Sequence, residues 1–224
     1  MRSVIFAGGD YDEDDFYRNV VRRFDLKIAA DSGANFLERI GVIPDVLIGD
    51  MDSIEENTFD SCKTNGAEII KLPVEKDEID TELALSEAEK RGSDVTFVAG
   101  AFGNRLDQTF GVFRLMERFK GSVLFNERLY AFVINAPLIL ESNPGELWSI
   151  IPLKKDVREV SLHGFKYELE RKIMEYLRPY GISNESTGYE VSIDPGDGTL
   201  LIFRYHSGLF KWVDELSIKL KRKR

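Results

Sequence analysis

Two aspartates stand two positions apart in "PDVLIGDMDS" (44–53), at the mouth of an apolar run. Val46, Leu47 and Ile48 read as a buried strand that Gly49 breaks, and Asp50 and Asp52 follow with only Met51 between them. If the extended conformation persists to residue 52, side chains two apart point the same way. Both carboxylates then face one magnesium ion or its waters, since such ions take one or two carboxylates besides substrate phosphates. The competing reading is that one aspartate caps the following turn while the other is solvated. The pair alone leaves both readings open, and it names no reaction, because sugar-nucleotide transferases and phosphatases also carry DxD pairs.

Other acids gather in the same way. Asp31 follows the run "KIAA", Asp77 and Asp80 follow "IIKLPVEK", and "GAFGNRLD" after "TFVA" brings Gly100, Gly103, Arg105 and Asp107. Each is weak evidence by itself: Asp80 would serve equally as a cap for a helix beginning at Thr81, and Arg105 as an ion-pair partner of Asp107. Like charges crowded on one edge repel unless cations neutralise them, so the coincidence favours a divalent-metal and polyphosphate site. The glycines of "GAFGN", and Gly8 and Gly9 after the first strand, let backbone N–H groups approach an anion, and the helix that follows offers its N-terminus. Arg105 at that helix start is suited to phosphate oxygens.

Composition excludes several other chemistries. Cys62 is alone, so an internal disulfide and a cysteine metal cluster are both ruled out. His163 and His206 are the only histidines, which argues against a zinc site and a histidine-based triad. A net charge of −9 disfavours non-specific nucleic-acid binding. The sequence has no apolar stretch long enough to span a bilayer, and "MRSVIFAGGDYDED" turns acidic too soon for a secretory signal, so a cytoplasmic location is expected. The basic end "KLKRKR" reads as a solvated tail, and the "DEDD" run as a helix start, where acids oppose the dipole.

The elements that would position these residues follow from periodicity. In residues 1–121, short apolar strands alternate with amphipathic segments, the last of them "RLDQTFGVFRLMERF" (105–119), with Leu106, Phe110, Phe113, Met116 and Phe119 as one apolar stripe. This alternation implies βαβ units and a mainly parallel, Rossmann-like sheet with flanking helices, whose ligands bind beyond the carboxyl ends of the strands. In residues 122–224 the pattern changes to short strands broken by turn residues, the reading of a smaller antiparallel β-sandwich domain. "PGDG" (195–198) is expected to close a hairpin, and only "ELERKIMEYL" (168–177) has helical character there. Trp148 and Trp212 read as core, Tyr167 as a half-buried strand residue, Ser183-Asn184 as a turn, and both histidines as structural.

The order of "ADSGANFL", "PDVLIGDMDS", "EKDEIDTELAL", "GAFGNRLDQT", "HGFKYEL" and "GISNES" resembles that of thiamine pyrophosphokinases, over nearly the whole chain. The resemblance implies a catalytic α/β domain and a thiamine-binding β-sandwich, assembled as a homodimer with sites between subunits. It implies transfer of a pyrophosphoryl group from ATP to the hydroxyl of thiamine, with magnesium as cofactor and AMP released. Asp50, Asp52 and Asp80 would then be the magnesium and phosphate-handling acids, with Asp31, Asp77, Arg105 and Asp107 lining the nucleotide and reaction site. Tyr167 would pack on thiamine, beside Ser183 and Asn184. Asn104 replaces a glycine of the family's usual loop, Gln108 stands where bacterial relatives often have histidine, and Tyr167 replaces the tryptophan of some animal relatives. Three rivals are a pyrophosphokinase for another alcohol such as a hydroxymethyl-pterin, a magnesium phosphohydrolase, and a non-catalytic thiamine or nucleotide sensor.

Overall fold

The computed structural model describes residues 1–206 and 210–220, which form two compact units: residues 1–127 with 210–220, and residues 128–206. In the first unit, β1 (Arg2–Phe6), α1 (Asp14–Val20), β2 (Leu26–Ala30), α2 (Gly33–Arg39), β3 (Val46–Gly49), α3 (Glu56–Thr64), β4 (Glu68–Lys71), α4 (Asp80–Lys90), β5 (Val95–Ala99), α5 (Leu106–Arg118) and β6 (Ser122–Phe125) succeed one another. The strands lie in the order β4-β3-β2-β1-β5-β6, all parallel. β3, β5 and β6 are buried along their whole length, and β1 and β2 nearly so, as expected of a sheet covered on both faces. The order reverses direction at β1, between β2 and β5, the kind of switch point where α/β sheets open a crevice.

The second unit holds β7 (Leu129–Ile134), β8 (Leu138–Glu141), β9 (Leu147–Pro152), β10 (Val157–His163), β11 (Leu169–Met174), β12 (Asn184–Glu185), β13 (Glu190–Asp194) and β14 (Leu200–Tyr205). They form two antiparallel sheets, β12-β9-β14-β7 and β11-β10-β13-β8. The chain then returns to the first unit as α6 (Lys211–Lys219). Trp212 of α6 is buried against Phe97 and Phe125, with ring centroids 5.9 and 5.5 Å away, and Asp214 pairs with Arg2 and Arg23. Trp148 is fully buried in the second unit, as its reading as core requires.

Three expectations are corrected. "PGDG" joins β13 to β14, which belong to different sheets, so it is a sheet-to-sheet crossing; Gly196 makes it with φ +57. "ELERKIMEYL" is the edge strand β11, where charged side chains suit an exposed edge better than a core. A helix does occur late in the chain, at α6, and the tail residues 221–224 lie outside the described residues. Val112 and Met116 of α5 and Phe119 just beyond it are buried, whereas Leu106 and Phe110 are 76% and 63% exposed. Periodicity found the stripe but could not say that its first two members lie uncovered.

Candidate active site

The acids of the first unit meet at the carboxyl ends of its strands. β2 ends into Asp31, whose backbone is left-handed at φ +47 and whose N–H donates to Ile48 O of β3 at 2.9 Å. β3 ends on Gly49, and a Cβ there would come within 3.0 Å of Asp31 Cβ, so only glycine lets the two strand ends approach this closely. The extended conformation does not persist to Asp52: Met51 is left-handed at φ +72. The chain folds back, and Asp52 N–H donates to Asp50 Oδ1 at 3.1 Å. The two carboxylates therefore meet through a turn, not through strand alternation. One oxygen each of Asp31, Asp50 and Asp52 lies within 4.8 Å of the others.

The electrostatics of this cluster are uneven. Burial raises the Asp31 pKa, a backbone bond from Ser32 works against this, and the charges of Asp80, Asp50 and Asp52 raise it further. Asp31 is 9% exposed, and its Oδ1 accepts no hydrogen bond. Asp50 is held below the usual carboxylate range by the Asp52 N–H and, more weakly, by Lys76. Lys76 Nζ stands 3.3 Å from Asp50 Oδ2 and 3.2 Å from Asp80 Oδ1. Burial works against the charge of Lys76, but Asp80 and Asp50 outweigh it and raise its pKa. Asp80 is the first residue of α4, and it pairs with Lys76 without capping the helix.

Beside the cluster opens a cavity of about 430 Å³. Its walls are the turns after β1 and β5, Asp31, Asp80, Lys76, and the start of α5 with Arg105 and Gln108. Asp10 ties the two turns together: its N–H donates to Phe102 O at 3.2 Å, and its Oδ2 accepts from Asn104 N–H at 2.9 Å. A Cβ on Gly9 would fall 2.2 Å from Gly100 O, so these backbones touch only because glycine stands there. Gly100, at φ +69, and Gly103 both line the cavity.

The sequence-derived candidates divide accordingly. Asp31, Asp80, Gly100, Gly103 and Arg105 line the cavity, and Asp50 and Asp52 join it through the carboxylate cluster. Asp77 is exposed and lies outside the lining, to which Val74, Lys76, Glu78, Ile79 and Asp80 of the same segment belong. Asp107 also lies outside the lining; it holds Arg105 by two bonds, to Nε at 2.9 Å and Nη2 at 2.7 Å. That guanidinium holds the Asp107 pKa down to about 2. Lys76 and Asp10 escaped notice in the sequence. The available signal for Lys76 was "EKDEID", one lysine among four acids.

In the second unit, Tyr167 is 65% exposed and sits in the loop before β11, not half-buried in a strand. Asn184 is buried and spends its amide on that loop: Oδ1 accepts from Tyr167 N–H at 3.0 Å, and Nδ2 donates to Tyr167 O at 2.9 Å. Ser183, exposed and left-handed at φ +60, precedes it. His163 is within 3.5 Å of Glu170, and His206 stacks on Tyr130.

A parallel sheet carrying acids, touching glycine turns and an arginine on its carboxyl edge has the architecture of an α/β phosphotransferase. A family model for thiamin pyrophosphokinase, catalytic domain, matches residues 17–124, and one for thiamin pyrophosphokinase, vitamin B1 binding domain, matches 138–200. Thiamine pyrophosphokinase of Bacillus subtilis (strain 168) is 26% identical over 185 residues, covering 80% of this chain and 86% of that protein. A crystal structure of thiamine pyrophosphokinase from Bacillus subtilis superposes with a TM-score of 0.81 at 26% identity, over 92% of this chain and 100% of that one. Yeast thiamin pyrophosphokinase, at 18% identity, shares the fold with a TM-score of 0.75 over 97% of this chain and 88% of its own. The chain belongs to the thiamine pyrophosphokinase family of ATP-dependent diphosphotransferases. Neither another acceptor alcohol nor a sensor role is favoured by these matches. Among the described residues, no helix is long and apolar enough to cross a membrane.

Proposed function

We propose that the cavity binds ATP with magnesium, that thiamine is the acceptor, and that the thiamine hydroxyl attacks the β-phosphorus in line. The bond from that phosphorus to the oxygen shared with the α-phosphate breaks, and AMP leaves with the electron pair. The observation that carries this reading is the convergence of Asp31, Asp50 and Asp52 within 4.8 Å, beside glycine turns open to phosphate. Three hard oxygen donors, one with a buried Oδ1 that accepts no hydrogen bond, suit magnesium. Asp31, Asp50 and Asp52 would hold the ion, with Asp80 adjoining. When bound, magnesium would supply positive charge to the phosphate oxygens as the bond breaks.

The remaining work falls to the chain itself. Backbone N–H groups of the Gly8–Gly9 and Gly100–Gly103 turns bind phosphate oxygens. Arg105, braced by Asp107, offsets their charge. Asp107 has both oxygens committed to Arg105 and lies outside the cavity lining, which leaves Asp80, in that lining, to take the hydroxyl proton. In the second unit, the exposed Tyr167 ring offers a face to the thiazolium cation or the pyrimidine, with Ser183 beside it and Asn184 fixing its backbone. A cytoplasmic homodimer with its sites at the subunit interface completes the reading.

Acceptor choice tests it. Full-length protein with ATP and magnesium is expected to form AMP with thiamine and none with a hydroxymethyl-pterin. AMP formed only with the pterin would reassign the acceptor, and inorganic phosphate without any acceptor would make the protein a phosphohydrolase.

A further inference from the structure

Lys76 has no assigned part in the reaction, yet its ammonium stands between two acids of the cluster, 3.3 Å from Asp50 Oδ2 and 3.2 Å from Asp80 Oδ1. Its side chain is only 13% exposed, as is fitting for an ion pair held in place and not a surface contact. The same loop lines the cavity of about 430 Å³ through Val74, Lys76 and Glu78, so Lys76 borders both the acids and the space where phosphates would enter. The cluster itself carries a deficit of partners: Asp31 Oδ1 is buried without a hydrogen bond. Four carboxylates so close need positive charge whether or not a nucleotide is present.

We infer that Lys76 is an exchangeable counterion, a positioning residue that neutralises Asp50 and Asp80 in the empty site and turns to a phosphate oxygen when ATP enters. This inference rests on the metal reading given above. A fixed positive charge beside Asp50 repels a divalent ion, so the nucleotide-free site binds metal weakly. ATP brings the anionic oxygens that draw the ammonium away, and metal and nucleotide then load together. The lysine thereby couples the two binding events, because whatever releases it from Asp50 strengthens the metal site by the same free energy.

Manganese binding to the nucleotide-free, full-length protein, followed by calorimetry and by the electron-spin signal of the free ion, tests this without any turnover. Lys76→Met is expected to bind manganese on the order of tenfold tighter than the unaltered protein, the effect of removing one nearby charge at a partly screened site. Lys76→Gln carries the same expectation, so the test survives if the methionine variant does not fold. Lys76→Arg, which keeps the charge, should bind as the unaltered protein does. Equal or weaker binding in Lys76→Met and Lys76→Gln would overturn the counterion role. If manganese binding is also indifferent to Asp50→Asn and Asp52→Asn, the metal reading fails with it. If binding depends on those aspartates but not on the charge at residue 76, only the present inference fails.

Discussion

At Asp31 the fold keeps a carboxylate at the expense of stability. It is buried, its Oδ1 accepts no hydrogen bond, and three like charges surround it. Its pKa is raised in the folded state, so the native protein holds this proton more tightly than the unfolded chain does. Stability therefore falls as pH rises from the ordinary carboxylate value through the raised one. Asp31→Asn should raise the melting temperature of the metal-free protein at pH 7 by about 2–4 °C, the shift that ~1 kcal/mol produces in a domain of this size. Asparagine tolerates the left-handed backbone at this position, so no strain is added. The same variant should lose turnover, which calorimetry and an AMP assay together would reveal. Asp52→Asn and Asp80→Asn should each lower kcat by about 10²-fold or more with the fold intact by circular dichroism. A folded double variant with near-normal turnover would remove these acids from the site.

At the scale of elements, the glycine turns and the Asn184 clamp make separable predictions. Gly9→Ala puts a methyl into Gly100 O and Phe102 O, backbone atoms that cannot rotate away. It should cost about 1–3 kcal/mol in chemical unfolding and raise KM for ATP more than for thiamine. Asn184→Ala leaves both Tyr167 backbone groups without their partner and should cost about 1–3 kcal/mol. Steady-state kinetics should then show KM rising for thiamine and holding for ATP. Much of this level was legible: the alternation of periods two and 3.6 marked the βαβ units, and the acids at strand ends marked the edge where the carboxylates gather. Three features were hidden for physical reasons. β11 has a helix-like charge pattern because an edge strand tolerates exposed charge on both faces. "PGDG" looks like a hairpin because turn chemistry is local, whereas the choice of sheet is not. The meeting of Asp50 with Asp52 depends on the left-handed Met51, which no spacing rule anticipates.

At the scale of the whole molecule, the change from a parallel sheet to antiparallel ones was legible in the change of strand pattern. The return of α6 to the first unit was not, since its anchors, Trp212 and Asp214, find their partners through the fold and not along the sequence. The proposed homodimer is tested at this scale as well. Light scattering coupled to size exclusion should give twice the chain mass of 25.6 kDa, and a monomer at assay concentration that remains fully active would dispose of sites shared between subunits. Isotope labelling decides which phosphorus is attacked and by which oxygen. Thiamine carrying heavy oxygen in its hydroxyl, incubated with ATP, magnesium and the protein, reports on both by the masses of the products. Attack on the β-phosphorus predicts unlabelled AMP and thiamine diphosphate that retains the heavy oxygen, in equal amounts. ADP with thiamine monophosphate, or AMP without labelled thiamine diphosphate, would contradict it.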